Sequence, residues 1–122
     1  MPIKNIVAIG GGGFGRSLGD LHIEKYIVSL TNKERPKICF IPTASGDNDL
    51  YKLNFYRAFG KLNCATTHLD FFSRTNDLEE VILNQDIIYV GGGNTKSMLA
   101  VWRDWNLDSV LQKAYNSGIV MS

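Results

Sequence analysis

The sequence predicts an α/β protein built on a parallel sheet of about five strands with helices on both faces. Three observations carry this. Short apolar runs rich in β-branched residues recur at 4–10, 37–41, 66–72, 87–90 and 119–121. Segments with apolar residues at helical spacing separate them. The intervals are short, as right-handed crossovers between neighbouring parallel strands require. No internal repeat, low-complexity tract or linker interrupts the rhythm, so we expect one α/β domain over residues 1–122.

Taken in order, Lys4–Gly10 reads as a strand that runs into the glycine loop Gly10–Gly15. Ile23, Ile27 and Leu30 mark a helix over about 21–30. Pro36 precedes the strand Lys37–Ile41, and Pro42 stops it. The turn Pro42-Thr43-Ala44-Ser45-Gly46-Asp47 leads into a helix whose buried face is Tyr51, Phe55, Ala58, Phe59 and Leu62. Thr66–Phe72 is a strand. Asn76 is placed to cap a short helix, with Glu79 in the capping-box position and Leu78, Val81 and Ile82 as its apolar stripe. The strand Ile87–Val90 ends in Gly91-Gly92-Gly93, and Asn94 or Thr95 starts a helix carrying Met98, Leu99, Trp102 and Trp105. A last helix begins near Asn106, packs Leu107, Val110, Leu111 and Ala114, and stops at Gly118. Ile119-Val120-Met121 opens a fifth strand that stops early, so we expect a sheet truncated at strand five.

The totals narrow the function. The 122 residues are 44% hydrophobic and 20% charged, with a formal net charge of +1. That balance leaves no electrostatic footprint for nucleic acid or an anionic membrane. No apolar run reaches membrane-spanning length, and the start lacks the layout of a signal peptide. Cys39 and Cys64 are unclustered, which speaks against a disulfide framework and a zinc site. We expect a cytoplasmic protein with no metal and no cofactor.

Several motifs compete. Gly10, Gly12 and Gly15 match the dinucleotide fingerprint, but a glycine run meets it easily. The strand ending Phe40-Ile41-Pro42-Thr43 also lacks the acid that would hold a ribose. Gly91-Gly92-Gly93-Asn94-Thr95 is more specific: a strand, three glycines and capping residues can present main-chain N–H groups to an anion. A tight capped turn is the plain alternative. His22 and His68 have no serine or cysteine at a triad-like spacing and read as surface or packed residues. Trp102 and Trp105 read as core, with a chain–chain interface as the alternative. Ser45 has small neighbours but no evident base, and Ser122 has no helix after it.

These residues resemble a known family. Ile87–Thr95, with Met98-Leu99, Gly118-Ile119-Val120-Met121, Phe40–Ser45 and Thr67-His68-Leu69-Asp70, is similar to the dipeptidase E group of serine peptidases, related to cyanophycinase. The resemblance covers the whole chain. It implies a fold like the class I glutamine amidotransferases, a flavodoxin-like three-layer arrangement, and hydrolysis of small peptides, often led by aspartate. It assigns an oxyanion-hole N–H to Gly93, with Gly92, Asn94 and Thr95 supporting it. Gly11, Gly12, Pro42, Thr43, Ala44 and Ser45 would line the same crevice. The family pattern also suggests the strand order 66–72, 37–41, 4–10, 87–90, 119–121. The family's serine, in a Ser-Ala-Gly elbow, falls just beyond Ser122, and its histidine and acid come later. The resemblance is therefore to an amino-terminal half. Its implied partners are a small peptide, if the site is completed, and either a complementing chain or a second copy. Inactivity of the chain alone, or a non-catalytic assembly role, follows as an expectation.

Overall fold

The computed structural model describes residues 3–10, 13–14, 21–70 and 77–122. In chain order the elements are α1 (His22–Ser29), β1 (Lys37–Ile41), α2 (Asp49–Lys61), β2 (Ala65–His68), α3 (Leu78–Leu83), β3 (Ile87–Val90), α4 (Thr95–Asp104), α5 (Leu107–Asn116) and β4 (Val120–Met121). The four strands form one parallel sheet in the order β2-β1-β3-β4. The α/β class is as the sequence predicts. Among the described residues four strands are formed rather than about five, because residues 4–10 contribute a single parallel bridge, Ile6 to Met121.

That bridge corrects the expected strand order. Segment 4–10 does not lie between β1 and β3, which pair directly with Ile38 opposite Ile87 and Ile41 opposite Val90. It lies outside β4. Val7 N–H donates to Met121 O at 2.8 Å, and Met121 N–H donates to Asn5 O at 3.1 Å. The outer side of the last strand, where the sequence predicts the sheet to be cut short, is thus occupied by residues 5–7. The correction also removes the central first strand that the dinucleotide fingerprint presupposes.

Burial on both faces explains the central pair. Side chains alternate along a strand. Ile38 and Phe40 of β1, with Ile87 and Tyr89 of β3, join Ile27, Phe55, Ala58 and Phe59 beneath α1 and α2. Cys39 and Ile41, with Ile88, join Ile82, Met98, Trp102, Leu107, Val110, Leu111 and Ala114 beneath α3, α4 and α5. Such strands read as continuous apolar runs, and Lys37–Ile41 is buried at every position after its lysine. Segment 4–10 instead alternates exposed and half-buried residues, as an outer position demands.

Helix ends follow their capping chemistry. Asn48 Oδ1 accepts from Tyr51 N–H at 2.9 Å, and Asn94 Oδ1 accepts from Ser97 N–H at 3.0 Å. The cap of α3 is Asp77, which accepts from Glu80 N–H at 3.2 Å. The cap expected at Asn76, like the strand end at Phe71-Phe72, lies outside the described residues. Trp102 is core as expected, whereas Trp105 is 44% exposed. Among the described residues no helix is long and apolar enough to cross a membrane.

At the opposite end of the sheet from the glycine turn, Asp86 ties the β1 entry to β3. Its carboxylate accepts from Lys33 Nζ at 2.5 Å and from Lys37 N–H at 2.8 Å. Partial burial opposes the charged form, but the two donors and the charges of both lysines outweigh it and hold the carboxyl below the ordinary range. A depressed folded-state pKa stabilises the fold above the unfolded value and loses that contribution as pH falls through the folded value. Asp86→Asn should therefore cost about 1–2 kcal/mol at pH 7, the exposed Lys33 contributing the lesser share. The difference from the parent should shrink as pH drops below about 4. Urea unfolding at a series of pH values measures this.

Candidate active site

The carboxyl ends of β1 and β3 lie side by side, where open α/β sheets bind ligands. Opposite Ile41 stands Val90, and Gly91 N–H donates to Ile41 O at 3.1 Å. Beyond β1, Pro42 turns the chain into a short 3-10 turn, Thr43–Ser45. Pro42 O gathers three donors: Ser45 N–H at 3.1 Å, Asp47 N–H at 3.1 Å and Ser45 Oγ at 2.9 Å. The Ser45 hydroxyl also accepts from Asn48 N–H at 3.4 Å, so it is committed to the turn rather than to an imidazole. Thr43 is buried, and its Oγ1 accepts from Trp102 Nε1 of α4 at 3.1 Å.

The glycine turn fits against this one. Gly93 has φ +146°, a conformation that side chains rarely adopt. A Cβ there would lie 2.2 Å from Ala44 O and 2.5 Å from Ala44 C. Asn94 N–H donates to the same Ala44 O at 2.7 Å. Gly92 N–H donates to Tyr51 Oη at 3.3 Å. A Cβ on Gly91 would meet the rings of Phe40 and Tyr51 at 3.0 Å. Gly93 is exposed, and among the described residues its N–H has no acceptor. Thr95 is exposed in the first turn of α4. An N–H held by its neighbours yet left without an acceptor can receive a developing negative charge.

Of the residues singled out from the sequence, Gly92, Gly93, Asn94, Pro42, Thr43, Ala44 and Ser45 are brought together, with Thr95 beginning the helix behind them. Gly11 and Gly12 lie outside the described residues. The ring of Phe14 packs on Phe40, Tyr51, Phe55, Phe59 and Tyr89, with centroids 5.1–6.0 Å apart. Phe14 thus joins the aromatic wall behind Gly91 and Gly92 although segment 4–10 is not central.

His22 is exposed on α1 and borders a groove with Tyr26. His68 Nδ1 bonds Tyr56 Oη, and its Nε2 faces Asp70 Oδ2 at 3.3 Å rather than a serine. Ser122 sits in the sheet ladder, its N–H on Ile88 O at 2.9 Å and its hydroxyl on Val7 O at 3.0 Å. Burial raises the Cys39 thiol to about 12 and the Cys64 thiol to about 11, so neither is a ready nucleophile. Among the described residues no three His, Cys, Asp or Glu side chains gather where they could share a metal ion. Tyr51 and Trp102 are site residues to which sequence reasoning gave no part in the site. Their apolar spacing hid the hydroxyl and the indole N–H that reach the two turns.

Gly93→Ala should destabilise the fold by about 2–4 kcal/mol, because the obstructing atoms are backbone and the φ is strained for alanine; denaturant melts measure this. Trp102→Phe should cost about 1–3 kcal/mol by leaving the Thr43 hydroxyl buried without its donor. Trp102→Phe combined with Thr43→Val should cost less than the two single changes summed, as a double-mutant cycle reads.

With this geometry in place, comparisons with known proteins fall into one pattern. The chain is 43% identical over 121 residues to the uncharacterized peptidase YgaJ of Bacillus subtilis (strain 168), across 98% of this chain and 53% of that protein. It superposes on a crystal structure assigned to peptidase E from Listeria monocytogenes EGD-e with a TM-score of 0.66 and 21% identity, over 79% of this chain and 50% of that one. It superposes on a peptidase from an acI-B1 Actinobacterium with a TM-score of 0.72 and 18% identity, over 95% and 50%. Those two share the fold. The chain spans about half the length of these relatives. The model of Peptidase family S51 matches residues 6–122, and the chain belongs to that family.

Proposed function

We propose that the turns 91–95 and 42–45 form the oxyanion side of a serine peptidase site of the peptidase E type, which acts on small peptides. Dipeptides led by aspartate are the first substrates to test. The observation that carries the reading is the exposed Gly93 N–H, fixed by the fit against Ala44 and left without an acceptor among the described residues. Attack on a peptide carbonyl turns its oxygen into an oxyanion, and a fixed donor is strongest where charge develops. Membership of Peptidase family S51 supports placing that chemistry here.

In this reading the nucleophilic serine, its histidine base and the orienting acid belong to polypeptide beyond these 122 residues. The cradle then works only in the completed site. The two buried free thiols favour a reducing, cytoplasmic setting. A second reading, an assembly module that docks another chain or a second copy, draws on Ile3, Ile6 and Tyr26. They are 80%, 67% and 58% exposed, and Tyr26 with Val7–Gly10 lines a groove of 420 Å³. Light scattering that finds a monomer at all concentrations would remove the second-copy form of that reading.

The 122-residue chain alone should release no amino acid from aspartyl dipeptides, because loss of any triad member costs several powers of ten. In a family-length polypeptide carrying these residues, Gly93→Ala should lower kcat about 100-fold or more while KM changes little. Turnover by the short chain that disappears on substituting one of its own residues would overturn the proposal.

A further inference from the structure

Four side chains that the peptidase reading does not use form a connected row across α2 and the end of β2. Lys52 and Tyr56 lie one turn apart on α2, His68 closes β2, and Asp70 follows two residues later. Tyr56 Oη is 2.5 Å from His68 Nδ1. His68 Nε2 is 3.3 Å from Asp70 Oδ2. Lys52 Nζ is 3.2 Å from each carboxylate oxygen of Asp70 and 3.2 Å from Asp49 Oδ1.

A phenol has a hydrogen to give and a neutral imidazole nitrogen has a lone pair to receive it, so Tyr56 can donate to His68 Nδ1 in the tautomer whose hydrogen sits on Nε2, the nitrogen facing Asp70. Burial works against the Lys52 charge, but the bonds and charges of Asp49 and Asp70 outweigh it and raise its pKa. Lys52 is therefore a lasting cation that holds Asp70 in place. The Tyr56 ring meets His68 edge-on at 5.6 Å and Phe55 at 5.2 Å. The His68 side chain is 32% exposed, and Tyr56 is half-buried.

A hydroxyl within reach of a base, with the base oriented by a third group, is the arrangement that activates a nucleophile. We propose that Tyr56 is a nucleophilic tyrosine, activated by His68 and Asp70, and a modification site for an electrophilic phosphoryl group. In the step, a bond forms between Tyr56 Oη and phosphorus, and the bond from phosphorus to its leaving group breaks. The leaving group departs with its electron pair, fluoride in the probe below. The phenol proton passes to His68 Nδ1, and Asp70 stabilises the imidazolium. Burial, the Cys39 thiol and Asp70 raise the Tyr56 pKa against the pull of Lys52. Standing phenolate is therefore scarce, and the reactivity depends on transfer to His68 during attack.

The test uses the 122-residue chain and diisopropyl fluorophosphate, with adducts located by peptide mass spectrometry. Tyr56 should be labelled about tenfold or more faster than Tyr26, although Tyr26 is 58% exposed. His68→Gln and Asp70→Asn should each lower Tyr56 labelling by about tenfold or more and leave Tyr26 unchanged. Circular dichroism checks that both variants fold, and the ratio within the parent protein needs no variant. Labelling of Tyr56 no faster than Tyr26, a rate unaffected by His68→Gln in a folded variant, or adducts confined to serines would overturn the proposal. The outcome is independent of the peptidase reading.

Discussion

The register between β1 and β3 is the constraint on which the rest of the molecule depends. Ile38, Cys39, Phe40 and Ile41 face Ile87, Ile88, Tyr89 and Val90 in turn. A slip of one residue would exchange the two faces and drive every inward side chain to the wrong layer. Each fully buried Ile or Phe contributes about 1.5–3 kcal/mol, so several such residues pin the pairing. The same register sets Gly91 N–H on Ile41 O and delivers residue 93 to the Ala44 carbonyl. The crevice is thus a by-product of core packing: the sheet positions two turns, and the turns position one N–H.

Glycine is needed at positions 91 and 93 for different reasons. At 91 a side chain would press on the aromatic rings of Phe40 and Tyr51; at 93 it would enter a backbone carbonyl. Rings can shift by a few tenths of an ångström, whereas a carbonyl already bonded to Asn94 cannot. The aromatic wall extends the logic. Phe14 packs among Phe40, Tyr51 and Tyr89, and so reaches the rings behind the second glycine turn without a strand between them.

Much of this was legible in the sequence because local chemistry announces local structure. Helix faces followed from apolar spacing, the Asn94 cap from its place after three glycines, and the class from alternation. Strand order was not legible. Ile6-Val7-Ala8-Ile9 is as apolar as Ile38–Ile41, and nothing in the run tells an outer position from a central one. The cap of α3 was assigned to Asn76 but is made by Asp77, since either side chain can accept an N–H. Tyr51, Trp102 and the Tyr56–His68–Asp70 row were missed for one reason. Each joins residues far apart in the chain through a polar atom on an otherwise apolar or ordinary side chain.

The pairing of Ile6 with Met121 has a consequence for how the chain comes into being. The Ser122 hydroxyl meets Val7 O across 115 positions, a contact of very high order. On a ribosome adding about 5–20 residues per second, residues 5–7 wait on the order of ten seconds for residues 121–122 to be added. Throughout that interval Ile6, Val7 and Ile9 form a nascent apolar ribbon without a mate. Residues 4–9 can take their place beside β4 only once residues 120–122 have been made.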